Sequence, residues 1–149
     1  MKILIIDNYD SFVYNIAQLV GKLRCRPTVI RNDEKSVKEI KEMNPDGIII
    51  SPGPGTPTVK RDFGVCGSVI SKLGPLFPIL GICLGHQGIV SSFGGRIINA
   101  KEIRHGKVSE INYASSNLFL NIENPFVATR YHSLVADPSK IPECLEVTA

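Results

Sequence analysis

Four short apolar stretches rich in β-branched residues, at positions 3–6, 28–30, 47–50 and 78–82, punctuate the first part of this 149-residue chain. Each interval between them carries apolar residues at helical spacing. Ile16, Leu19, Val20 and Leu23 recur at i, i+3, i+4 and i+7, which places them on one stripe. Val37, Ile40 and Met43 mark a second stripe, and Cys66, Val69, Ile70 and Leu73 a third. Strands that are apolar throughout, alternating with helices, predict an open, mostly parallel sheet of the flavodoxin-like kind with helices on both faces. Punctuation agrees with this. Asp10 or Ser11 is placed to cap the first helix, Ser36-x-x-Glu39 forms a capping box ahead of the second, and Gly74-Pro75 stops the third.

Beyond residue 91 the texture changes to shorter apolar pieces, at 96–98, 107–111, 126–128 and 134–135, with turns expected at Gly94-Gly95 and His105-Gly106. We read these as an antiparallel C-terminal extension. The length suits one domain with a true core, residues 1–149, and 43% hydrophobic with 21% charged residues is ordinary for a globular protein. A net charge of +3, from scattered lysines and arginines, gives no footprint for nucleic acid. Every apolar run is broken by Pro, Gly or charge, so no membrane span is expected, and the N-terminus lacks the features of a signal peptide. Cys25, Cys66, Cys83 and Cys144 form no Cys-x-x-Cys pair and no zinc spacing, which fits a cytoplasmic chain without a metal of its own.

Within this frame one segment carries chemistry. The apolar run at 78–82 ends in Gly81-Ile82-Cys83-Leu84-Gly85. That is the cysteine form of a nucleophile elbow, where a strand turns sharply into a helix and leaves one side chain exposed. Flanking glycines are required because a Cβ would clash where the elements pass. A cysteine at a helix N-terminus is expected to favour thiolate, and the Leu84 N–H points where an attacked carbonyl would develop charge. A buried core cysteine is the bland alternative.

A second segment, Ser51-Pro52-Gly53-Pro54-Gly55-Thr56-Pro57, follows the strand at 47–50. Its prolines and glycines dictate a stiff irregular loop whose free N–H groups can face a ligand; the bland alternative is a tight turn. In open parallel sheets ligands bind beyond the carboxyl ends of the strands. Asp7, Ser51 and Cys83 each lie just past such an end, so their loops are expected to converge.

Asp7-Asn8-Tyr9-Asp10-Ser11-Phe12, Ser51-Pro52-Gly53-Pro54-Gly55, Gly81-Ile82-Cys83-Leu84-Gly85-His86-Gln87 and Arg130-Tyr131-His132-Ser133-Leu134 together resemble the class I, triad-type glutamine amidotransferases. The first and last resemble the glutaminase subunits that feed ammonia to chorismate-using synthases, of the anthranilate or para-aminobenzoate branch. The resemblance implies Cys83 as the nucleophile on the amide of L-glutamine, releasing ammonia and leaving a glutamyl thioester. It implies Gly55 and Leu84 as N–H donors to the oxyanion. Gln87, with backbone groups of Gly53, Pro54, Gly55, Ser133 and Leu134, would hold the substrate. It implies a chorismate-binding partner subunit, to which any magnesium would belong, and His86 as a hydrogen-bonded support.

The family completes its triad with a His-Pro-x-Glu motif, and none of His86, His105 or His132 is followed by Pro-x-Glu. The domain therefore reads as incomplete at its C-terminus, and these residues alone are expected to make a poor glutaminase or none. A non-catalytic, partner-binding subunit is the reading from a different class. A thiol peptidase on the same scaffold would place histidine directly after the nucleophile, where this chain has Leu84. His132 as a substitute base competes with His132 as an organiser of its own loop. Cys25, Cys66 and Cys144 read as structural, and the charges between Asp33 and Lys41 as a solvated helix face.

Overall fold

The computed structural model describes every residue apart from Ser115, and every side chain apart from that residue's and Arg104's. Four parallel strands form the first sheet: β1 (Lys2–Asp7), β2 (Arg26–Arg31), β3 (Gly47–Ile50) and β4 (Ile79–Gly81), in the order β2-β1-β3-β4. The crossovers contain α1 (Val13–Lys22), α2 (Val37–Glu42), then α3 (Lys60–Phe63) and α4 (Cys66–Leu73); α5 (Leu84–Ser92) follows β4. These are the strands and helices that the apolar pattern predicts, with α3 as an addition.

Side chains alternate across the sheet, so β1, β2 and β3 each feed two cores. Leu4, Ile6, Ile30, Ile48 and Ile50 pack with Ile40 of α2, Phe63 of α3, Cys66, Val69 and Leu73 of α4, and Leu84 of α5. On the opposite face Ile5, with Ile3, Val29 and Ile49 beside it, meets Val13 and Val20 of α1. Full burial of each such aliphatic side chain is worth about 1.5–3 kcal/mol.

Two helix details differ from the sequence reading. The stripe of α1 that meets the sheet is Val13, Ile16, Ala17 and Val20, itself an i, i+3, i+4, i+7 set. Leu19 and Leu23 project to one side of it and are 59% and 70% exposed. Nor does Asp10 or Ser11 cap α1: the N-cap is Phe12, with no side-chain bond, and Asp10 instead accepts the Phe12 N–H at 3.1 Å. The Ser36–Glu39 capping box of α2 is formed as expected, and α4 stops at Gly74.

The chain divides into two compact units, Met1–Gly95 and Arg96–Ala149. In the second, β5 (Ile97–Ile111) and β6 (Phe126–Ala136) pair antiparallel, from Ile97 opposite Ala136 to Ile111 opposite Phe126. The four short apolar pieces of the sequence are thus the ends of two long strands. The turn expected at His105-Gly106 is a bulge inside β5: the register shifts between His105 and Lys107, and Gly106 takes φ 71°. One residue in the left-handed region absorbs the irregularity without ending the strand. Tyr113 stacks on Phe119 with 4.4 Å between ring centroids, and Phe126 packs against both.

Candidate active site

The turn from β4 into α5 is drawn tight by its glycines. A Cβ on Gly81 would come within 2.4 Å of the Gly85 carbonyl carbon, and one on Gly85 within 2.3 Å of the Ile50 oxygen. Neither separation is possible, so β4, α5 and the end of β3 approach this closely only because both positions are glycine. Ile82 N–H bonds to the same Ile50 oxygen at 3.0 Å. Between them Cys83 is held at φ 50°, ψ −103°, a conformation that side-chain-bearing residues rarely adopt. Strain at this residue turns its side chain out of the elbow, and Cys83 is solvent-accessible. The nucleophile-elbow reading holds and the buried-cysteine alternative does not.

The electrostatics of that sulfur correct one expectation. Although the residue is accessible, protein packed around the sulfur removes water and pushes the thiol above its ordinary value. The Leu84 N–H bonds to the sulfur and pulls the other way, while Asp10 adds to the rise. The helix terminus therefore does not hold a standing thiolate. Cys83 rests as a thiol and must lose its proton to react.

The Pro/Gly loop, residues 51–57, is anchored by a buried polar network at the carboxyl ends of the strands. Ser51 Oγ accepts the Asn8 N–H at 2.9 Å and donates to the Pro52 oxygen at 2.6 Å, and Asn8 Nδ2 donates to the Ser51 oxygen at 2.9 Å. Asn32 Nδ2 donates to Asn8 Oδ1 at 2.9 Å and to the Asp62 oxygen at 3.1 Å, and the Cys66 thiol donates to Asn8 Oδ1 at 3.4 Å. Burial pushes the Cys66 thiol up to about 12, so it serves this network as a neutral donor. Asp7 closes the end of β1 by pairing with Arg31 at 2.6 Å, and Arg31 lies 4.5 Å from the Tyr9 ring centroid.

This network brings the loop beside the elbow. A Cβ on Gly53 would meet the Asn8 oxygen at 2.5 Å and Leu84 Cδ2 at 3.1 Å, so the loop rests directly on Leu84, the residue after Cys83. Gly55, at φ 83°, is exposed; among the described residues its N–H has no acceptor. The convergence expected of the 7, 51 and 83 loops is present within the first unit. Sequence reading quoted Asn8 in a motif without giving it a role, and passed over Asn32 and Asp62. For Asn8 and Asn32 the signal was an asparagine next to an aspartate at the carboxyl end of each of two neighbouring strands; Asp62, inside α3, had none.

Gln87 lies one turn beyond Cys83, its N–H bonded to the Cys83 oxygen at 2.9 Å and the residue only 6% exposed. His86 is exposed and its side chain makes no hydrogen bond among the described residues, which removes the expected support role. Ser133 and Leu134 lie on β6 of the second unit. In that unit His132 Nε2 takes the Arg130 Nε–H at 3.1 Å and His132 Nδ1 meets the Leu134 oxygen at 3.1 Å. With both ring nitrogens engaged, His132 orders its own strand. His105 stands edge-on to Tyr131 at 5.2 Å. The charges between Asp33 and Lys41 lie mostly in solvent, as expected, and no helix among the described residues is long and apolar enough to cross a membrane.

Comparison with known proteins identifies the family. The family model for class-I glutamine amidotransferases matches residues 4–149. The chain is 55% identical to anthranilate synthase component 2 of Porphyra purpurea, over 99% of this chain and 76% of that protein. It is 58% identical to the Saccharolobus solfataricus protein of the same name, over 90% of this chain and 70% of that one. Among solved structures, a putative GMP synthase protein from Thermoplasma acidophilum superposes with a TM-score of 0.76 at 26% identity, covering 96% of this chain and 69% of that one. An elbow cysteine beside a Pro/Gly loop on a parallel sheet, and a family match over nearly its whole length, make this chain a member of the class-I glutamine amidotransferases.

Proposed function

We propose that this chain is the glutaminase component of an anthranilate synthase, releasing ammonia from L-glutamine for a chorismate-binding partner subunit. The observation that carries the proposal is Cys83 held in a strained, outward conformation at the elbow, with Gly53 of the Pro/Gly loop packed on Leu84 beside it. Identity of 55–58% to two components of that synthase supports the branch over para-aminobenzoate.

In this reading the Cys83 sulfur adds to the γ-carboxamide carbon of glutamine. Charge then develops on the amide oxygen, where the N–H groups of Leu84 and Gly55 stabilise it. Collapse expels ammonia and leaves a γ-glutamyl thioester, which water hydrolyses. Gln87 and the backbone of Gly53, Pro54 and Gly55 are assigned to holding the glutamine. Because Cys83 rests as a thiol, acylation needs a base, and ammonia departure needs an acid. His132 is engaged within its own strand and His86 follows the elbow without a side-chain hydrogen bond, so neither is given that role. The proposal places the aminating chemistry, and any magnesium it uses, on the partner.

The test is a paired assay with a chorismate-binding synthase subunit. Glutamine-dependent anthranilate formation that disappears in Cys83→Ser, while ammonia-dependent formation persists, supports the assignment. Equal glutamine-dependent rates with and without Cys83 defeat it.

A further inference from the structure

The Gly55 N–H can stabilise an oxyanion only if its direction is set before substrate arrives, because a donor that must reorient during the reaction loses its advantage over water. Among the described residues nothing accepts that N–H itself, and Gly55 at φ 83° has the widest conformational freedom of any residue type. The neighbouring peptide is fixed instead. Thr56 N–H donates to Asp62 Oδ2 at 3.2 Å, and the carboxylate lies so close under Gly55 that a Cβ there would come within 2.1 Å of the same oxygen.

We infer that Asp62 is a positioning residue for oxyanion stabilisation, its carboxylate setting the direction of the Gly55 N–H by holding the Thr56 N–H on the far side of the Gly55 α-carbon. This rests on the glutaminase reading of Cys83. The other interactions around Asp62 make it a firm anchor. Its backbone oxygen accepts from Asn32 Nδ2 at 3.1 Å, which ties it to the Asn8–Ser51 network at the root of the loop. Its Oδ1 takes the Arg61 Nε–H at 3.2 Å, leaving Oδ2 for Thr56. Next in the chain, the tip of the Phe63 ring meets α5 at Gly88, where a Cβ would come within 2.0 Å of Phe63 Cζ. The short helix α3 therefore touches both sources of N–H donors, the loop through Asp62 and the elbow helix through Phe63.

The test compares two reactions of the same sulfur. An S-aryl γ-glutamyl thioester acylates Cys83 through a tetrahedral oxyanion: the S–C bond to Cys83 forms, the aryl thiolate departs, and its absorbance reports the rate. Iodoacetamide alkylates the same thiolate by displacing iodide and passes through no oxyanion. Asp62→Ala is expected to slow acylation by roughly tenfold to a hundredfold, short of or equal to the loss of one donor. The half-saturating thioester concentration and the alkylation rate should stay at wild-type values. Asp62→Asn, whose amide oxygen still accepts from Thr56, should recover most of the acylation rate. Acylation of Asp62→Ala at the wild-type rate overturns the inference, as does an equal fall in acylation and alkylation, which would report distortion of the elbow. A wild-type protein that is alkylated but never acylated would defeat the glutaminase reading itself, and the inference with it.

Discussion

Replacing Cys83 by glycine should stabilise the protein relative to replacing it by alanine. Cys83 sits at φ 50°, ψ −103°, and the unfavourable element of that conformation is the Cβ. Alanine keeps the Cβ and glycine lacks it, while both remove the sulfur, so whatever the thiol contributes to stability cancels in the comparison. A residue in so sparsely populated a region stores about 1–3 kcal/mol. Against this, glycine loses about 0.4–1 kcal/mol through the extra freedom of the unfolded chain. The difference is a stabilisation of Cys83→Gly over Cys83→Ala of about 1 kcal/mol, with a ceiling near ~2.5 kcal/mol. In thermal melts that is roughly 2–4 °C per kcal/mol for a chain of this size. Urea unfolding of both variants, at equal m-values, measures the difference directly. At an unstrained position the order is reversed and alanine is the more stable. That order at position 83 would show that the elbow stores no strain, and the explanation of why its side chain points outward would fail.

The glycine on the far side of the elbow gives a contrasting pair. Gly85→Ala forces a methyl group to within 2.3 Å of the Ile50 oxygen and should destabilise by about 3 kcal/mol or more, whereas Gly21→Ala, in α1 with open space around it, should stabilise by about 0.5 kcal/mol; equal effects in urea titrations would contradict the packing account. Cys66, raised from an ordinary value near 9 to about 12, is favoured neutral in the folded state. The stability it contributes is fully present below pH 9 and is lost as pH rises toward 12, so between those limits Cys66→Ala should lose stability less steeply than wild type. Thiol labelling at pH 8 followed by peptide mass mapping should modify Cys83 and Cys144 while sparing buried Cys66; early modification of Cys66 would contradict its burial.

The parallel sheet was legible because apolar β-branched runs have few alternatives, and the elbow because Gly-x-Cys-x-Gly after such a run couples a conformational demand to a reactive side chain. What escaped were matters decided by tertiary contact. Spacing puts Leu19 on the stripe of α1, but the helix meets the sheet along Val13 and Val20, and only packing chooses between two overlapping stripes. The segments of the second unit looked short because His105-Gly106 reads as a turn, when the Gly106 bulge is absorbed by pairing with β6. The thiolate expectation failed for a related reason. Sequence shows the helix terminus but not how much protein surrounds the sulfur or that Asp10 lies near it. Asn8, Asn32 and Asp62 were invisible as a network because the bonds that join it span 24 to 58 residues of chain.

Substrate-protected labelling of Cys83 probes most directly whether the elbow sulfur is a glutamine-directed nucleophile. A thiol-reactive glutamine analogue should modify one site per chain, at Cys83, and L-glutamine, but not L-asparagine, should protect it. Modification spread over Cys25 and Cys144 as well, or unaffected by saturating glutamine, would show that the elbow presents a reactive thiol without a glutamine site around it.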